Sequence, residues 1–154
     1  MSIFIFALLI GIIAGLRTMT APAAIAWAAY LGWLPVAGTF AGFMSHWIAV
    51  AVFTIAALAE LVTDQLPSTP SRKVPQQFGA RVVSGAFSGA VIGTVGGALL
   101  AGLIAGVVGA VIGTYGGAEA RARLAGTFGK DLPAALIEDA VAILGALWIV
   151  SAVV

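Results

Sequence analysis

Cysteine is absent from this chain of 154 residues, histidine occurs once, and only 8% of the residues carry a charge. Without a thiol there is no disulfide, thiolate metal site or cysteine nucleophile, and His46 has no second imidazole with which to complete a metal site. The shortage of charge excludes more. An average soluble chain is about 25% charged, whereas here 62% of residues are hydrophobic and the mean hydropathy is +1.14. That leaves too little polar surface to coat a soluble globule and rules out a disordered regulator. A net charge of +1 offers no basic face for phosphates, so a nucleic-acid binder is excluded as well.

What the chain does have is apolar length. Its seven basic and six acidic residues are bunched, and none falls in 1–16, 18–59, 82–118 or 140–154. A bilayer core of about 30 Å takes about 20 helical residues, so these stretches predict an all-α, polytopic helical membrane bundle of about six segments, a single integral membrane domain over 1–154. The N-terminal stretch has no basic n-region and runs into Arg17 rather than a small-residue cleavage site, as expected of a first membrane segment rather than a signal peptide.

Ile3 to Gly15 is apolar, and Arg17-Thr18-Met19-Thr20 interrupts it. With Thr20 as N-cap and Ala21 as the first helical residue, Pro22 falls where a new helix starts, which gives a short first hairpin. A Gly/Pro stretch from Gly32 to Gly42 leads to a third helix from about Phe43 to Leu66, and the proline-rich loop 67–78 ends it. From Gly79 to about Leu124 the chain reads as glycine-rich helix. Gly85, Gly89, Gly93 and Gly97 recur every fourth residue, as do Gly109, Gly113 and Gly117, and GAVIGTVGGA at 89–98 returns as GAVIGTYGGA at 109–118. Such small-residue stripes bring membrane helices into close contact, which predicts a glycine-zipper central hairpin. As one helix this stretch would be about 69 Å long, so it must fold back near Gly96-Gly97 to Gly102. A last segment runs from about Pro133 to Val154.

Alternating crossings place the Arg17 turn and the loops 67–78 and 125–132 on one side, and with them every basic residue: Arg17, Arg72, Lys73, Arg81, Arg121, Arg123 and Lys130. By the positive-inside rule that side is cytoplasmic, so both termini lie outside, in what is expected to be the bacterial cytoplasmic (inner) membrane. Trp33 and Trp47 then fall at the outer interface.

Ionisable groups at membrane depth are functional candidates by default. Glu60 and Asp64 share one helix face at a spacing of four; as like charges they repel, and Arg17, Arg81 or Arg121 could neutralise them. Glu138 and Asp139 lie in the last helix. Arg17, Thr18 and Thr20 form a polar corner at the head of the Pro22 helix, where free N–H groups favour an anion. The candidate ligand or ion site is therefore Arg17, Thr18, Thr20, Glu60, Asp64, Arg81, Glu138 and Asp139. The bland reading of the same residues is a solvated rim one or two turns from the interface. Ser84 and Ser88 have no nearby His base and are expected to bond back into their own helix. No nucleophile, metal or cofactor constellation is found, so neither an enzyme nor a cofactor is expected.

GLRTMTAPA at 15–23, ELVTDQLPSTPSR at 60–72, GARVVSGAFSGA at 79–90 and ALIEDAVAI at 135–143 resemble the motifs of domain-of-unknown-function family 4126, small integral membrane proteins. The resemblance spans nearly the whole chain. It implies membrane placement, singles out Arg17, Glu60, Asp64, Pro67, Arg81, Glu138 and Asp139, and implies no reaction or ligand.

Three functions compete. A transporter or channel-like protein for an ion or small polar solute fits the charged cluster and the broken first hairpin. A non-catalytic structural or assembly protein of the membrane fits the close helix packing. A lipid-acting membrane enzyme lacks its nucleophile. The partners expected are the lipid bilayer, an ion or small polar solute, and a second copy of the chain through the glycine faces.

Cysteines placed singly at Ser2, Ser71 and Thr127 test the topology. Only Ser2→Cys is expected to react with an impermeant thiol reagent added to intact cells, and external labelling of Ser71→Cys would overturn the arrangement.

Overall fold

The computed structural model describes residues 2–63 and 75–153, and their regular structure is helical with no strand among them. The order is α1 (Ile3–Leu16), α2 (Thr20–Tyr30), a short 3₁₀ turn (Gly42–Ser45), α3 (Trp47–Thr63), α4 (Pro75–Val95), α5 (Leu99–Phe128) and α6 (Asp131–Ala152). Three helices are long and apolar enough to cross a membrane: α4, α5 and, over Leu132–Ala152, α6. The apolar α1 and α3, with 14 and 17 residues, are shorter, and α2 has 11. The all-helical architecture and these three spans support a membrane protein.

Close backbone approach between α1, α4 and α5 builds the centre. A Cβ placed on Gly89 would stand 2.7 Å from the Gly106 Cα and strike the Gly102 carbonyl oxygen, and one on Gly85 would lie 2.7 Å from the Gly106 carbonyl oxygen. On the other side of α5, Gly11 also meets the Gly106 backbone, so three helices converge on one glycine. Without hydrophobic exclusion to drive helices together in lipid, contact of this kind supplies the packing attraction.

The glycines divide their work differently from the expected hairpin. Gly85, Gly89 and Gly93 do face α5, but they meet Gly102 and Gly106, whereas Gly109 and Gly113 pack on Leu8 and Ile12 of α1. Gly97 lies in the turn and has no neighbour within 4 Å of a Cβ; its φ of 77° is its contribution. The amide of Gly97 donates to the Thr94 carbonyl (3.0 Å) and that of Ala98 to the Gly93 carbonyl (2.7 Å), so α4 ends in a left-handed cap that turns the chain into α5. The fold-back thus falls at 96–98, inside the range expected. Gly117 is half-buried near the end of the stripe. The four-residue pairs Gly11/Gly15 and Gly102/Gly106 carried the same signal in the sequence and supply contacts that the two longer runs alone do not explain.

Several boundaries move. The third helix starts at Trp47 rather than Phe43, because Gly42–Ser45 forms the 3₁₀ turn and the exposed His46 accepts the Ile48 amide on Nδ1 at 3.2 Å, capping α3. Residues 75–78 of the expected loop are already α4, and the loop at 125–132 shrinks to Gly129 and Lys130, since α5 continues to Phe128 and Gly129 ends it with φ 73°. Leu66 and the rest of the 67–78 loop lie outside the described residues.

Around the three central helices, α6 packs on α1, α2 and α5, with Ala142, Ala146, Ile149 and Val150 buried. The third helix is peripheral. It lies against α2 and the 3₁₀ turn, with Val50 its one buried residue. Trp33 and Trp47 are exposed, which fits an interfacial belt.

Gly106→Ala is expected to destabilise the fold by about 1–3 kcal/mol or more, because its Cβ enters the backbones of α4. Gly116→Ala, with open space around it, should be neutral or stabilising by up to about 1 kcal/mol. Unfolding titrations in denaturing detergent compare the two, and equal effects would show that the close approach carries no stability.

Candidate functional site

The site is built on the interruption between α1 and α2. When a helix stops inside an apolar bundle, its last carbonyls and the next helix's first amides lose their intrahelical partners. Arg17 caps α1 with its own amide on the Ile13 carbonyl (2.8 Å), and its side chain reaches back to the Leu16 carbonyl from Nη1 at 3.3 Å. The Arg81 guanidinium, entering from α4, donates through Nη1 to the Gly15 carbonyl at 2.7 Å. Two cations therefore stand at the negative end of α1, where the helix dipole favours them.

Across the break the sign reverses. The Glu60 carboxylate of α3 accepts the Thr18 amide on Oε2 at 2.9 Å and the Met19 amide on Oε1 at 3.0 Å. These are the amides just ahead of α2, where Met19, not Thr20, is the N-cap residue and makes no side-chain cap bond. Thr20 is not the N-cap because the helix already includes it: the Ala23 amide bonds the Met19 carbonyl at 3.0 Å, which starts the helix one residue earlier. Pro22 still falls in the first turn, where its missing N–H leaves no bond unmade. The carboxylate that meets the amides of this corner is supplied by the chain itself.

Arg17 is the hub of the cluster. Fully enclosed, it donates from Nε to Asp139 Oδ1 at 2.7 Å, its Nη2 also contacts that oxygen, and its Nη1 lies 3.5 Å from Glu138 Oε1. Glu138, 8% exposed, faces Arg121 through its other oxygen at 3.7 Å. Charge thus alternates from Arg121 to Glu138 to Arg17 to Asp139. Adjacent residues on α6 point into one pocket of charge because Arg17 approaches from the end of a helix and its forked guanidinium can span both.

Two expectations are corrected here. Among the described residues Glu60 pairs with backbone amides rather than with Arg17 or Arg81, and α6 provides two carboxylates that Arg17 meets. Ser84 does not bond back into α4; its hydroxyl donates to the Thr18 carbonyl and ties α4 to the break. Sequence reading missed this role because nothing in a lone serine reveals an orphan carbonyl on another helix. Ser88 is buried, and its hydroxyl finds no partner among the described residues. Thr18 contributes main-chain groups, and Thr20 is 6% exposed, with no partner for its hydroxyl oxygen among the described residues. The remaining candidate, Asp64, lies outside the described residues.

The structure therefore brings Arg17, Thr18, Glu60, Arg81, Glu138 and Asp139 to one break and buries most of them, in place of a solvated rim. Glu119 and Arg123, which pair at 2.7 Å along α5, are exposed and stand apart. Among the described residues no group of three or more His, Asp or Glu side chains is placed to hold a metal ion. Compared with family models, with curated proteins and with solved structures, the chain has no match in any of the three.

Removing Arg17 takes a buried cation from two enclosed carboxylates. Arg17→Leu is expected to cost about 3–5 kcal/mol in detergent unfolding, and Arg17→Leu with Asp139→Leu should recover a large part of it. Arg121→Leu, at the looser and more exposed contact, should cost about 1 kcal/mol or less. Strictly additive losses in the Arg17/Asp139 cycle would reject the coupling.

Proposed function

We propose that this chain is a transporter or channel-like protein of the cytoplasmic membrane, with six membrane segments and both termini outside, that binds and passes an ion or small polar solute at the charged break. Likeness to domain-of-unknown-function family 4126 belongs to the same reading. The observation that carries it is the seating of Glu60 on the free amides of Thr18 and Met19. Interrupted helices whose termini face a charged group are the means by which many transporters hold a solute at membrane depth.

Glu60 also comes from the helix best placed to move. Its helix, α3, has one buried residue, and among the described residues two polar ties hold it to α2 and the residues before it: the Glu60 carboxylate at one end and the Trp27 indole, donating to the Thr54 hydroxyl at 2.8 Å, further along. In the proposed cycle Glu60 leaves the amides, the solute or ion takes its place or its charge, and Arg17 with Glu138 and Asp139 keeps the neighbouring charge balanced. Protonation of Glu60 favours release, because a neutral carboxyl is the weaker acceptor.

A second reading, a non-catalytic structural or assembly protein, is favoured by the interlocked backbones of α1, α4 and α5, which leave those helices no room to slide. Flux measurements in liposomes separate the two. Wild-type protein should move an ion or small polar solute in a pH-dependent manner, and Glu60→Gln should abolish that dependence while the protein keeps its helicity. No flux across a broad screen, or equal flux in the variant, would favour the structural reading.

A further inference from the structure

One peptide group at the break is held by two different helices. The Thr18 carbonyl and the Met19 amide belong to the same plane and, in a trans peptide, point opposite ways. The amide donates to Glu60 Oε1 of α3 at 3.0 Å, and the carbonyl accepts from the Ser84 hydroxyl of α4. Serine, peptide and carboxylate thus stand in series.

The sequence keeps this peptide out of both neighbouring helices. A helix extended back by one residue would bond the Thr18 carbonyl to the amide of residue 22, and Pro22 has no N–H to give. The first bond of α2 runs instead from the Ala23 amide to the Met19 carbonyl, and α1 closes with the Arg17 amide on the Ile13 carbonyl. Among the described residues, side chains from α3 and α4 are what hold the peptide between them.

Hydrogen bonds in series reinforce one another where the dielectric is low. A donor on the carbonyl draws charge toward its oxygen and makes the N–H of the same peptide the stronger donor. Ser84 is 7% exposed, and the residue after it, Gly85, lies against the Gly106 backbone of α5, so its hydroxyl stands on the rigid part of the bundle. Glu60 stands on the lightly held α3. We propose that Ser84 is a positioning residue for Glu60: by holding and polarising the Thr18–Met19 peptide, it sets how readily the carboxylate leaves the break. Departure of Glu60 as a step of transport rests on the function proposed above, whereas the hold that Ser84 exerts does not.

Amide exchange followed by NMR on the reconstituted full chain distinguishes this from a simple cap on a stray carbonyl. Thr18 is the diagnostic amide, because its N–H lies in the preceding peptide and shares with Met19 the Glu60 carboxylate but not the Ser84 hydroxyl. Ser84→Ala should speed exchange at Thr18 and Met19 together, about fivefold, and leave the amides between Ile10 and Ala14 protected. In Glu60→Ala protein, where the carboxylate is already gone, adding Ser84→Ala should leave Thr18 exchange unaltered. Faster exchange at Met19 alone, faster exchange throughout α1, no change at either amide, or an undiminished effect on Thr18 without Glu60 would each overturn the proposal. None of these rates depends on flux, so a chain that moves no solute would reject the transport reading without touching this one.

Discussion

A helix cannot stop in an apolar bundle without stranding backbone groups, and the break between α1 and α2 organises the polar chemistry of this protein around that fact. The carbonyls at the end of α1 draw Arg17 and Arg81, and the Thr18 and Met19 amides between the helices draw Glu60. Once Arg17 is enclosed it needs anions of its own, which Glu138 and Asp139 provide from α6. Elements far apart in the sequence are thereby fixed to one another by a few peptide groups.

The rest of the bundle divides into a tight part and a loose part. Where α1, α4 and α5 meet, glycine lets main chain touch main chain, and a single Cβ would force the helices apart. The third helix has no such seam. It rides on α2, with polar ties taking the place of a buried apolar face. A rigid trio beside a lightly held helix is the arrangement in which a change at Glu60 alters the position of α3 before it disturbs the core.

Much of this was legible before any coordinates. The long apolar stretches point to helices long enough to cross a membrane, and Arg17 between two of them marks the break. Gly85, Gly89 and Gly93 announce a packing face because a four-residue spacing holds small residues on one stripe. What could not be read is which partner each group finds. Glu60 and Asp64 at i, i+4 suggest carboxylates awaiting an arginine, yet Glu60 serves amides exposed by the break, and linear spacing does not display orphan donors. In the same way Gly109 and Gly113 looked like the other half of a hairpin seam but face α1, since periodicity gives a stripe and not the neighbour it meets. Ser84 was illegible altogether, because its role depends on a carbonyl more than sixty residues away.

The central contact is the Glu60 carboxylate on the Thr18 and Met19 amides just ahead of α2. Amide hydrogen exchange followed by NMR on the reconstituted protein reads those two groups directly. If Glu60 holds them, the Thr18 and Met19 amides exchange as slowly as those within α1, and Glu60→Ala speeds both while leaving the amides between Ile10 and Ala14 protected. Rapid exchange at Thr18 and Met19 in the wild type, or slow exchange that Glu60→Ala does not change, would contradict it.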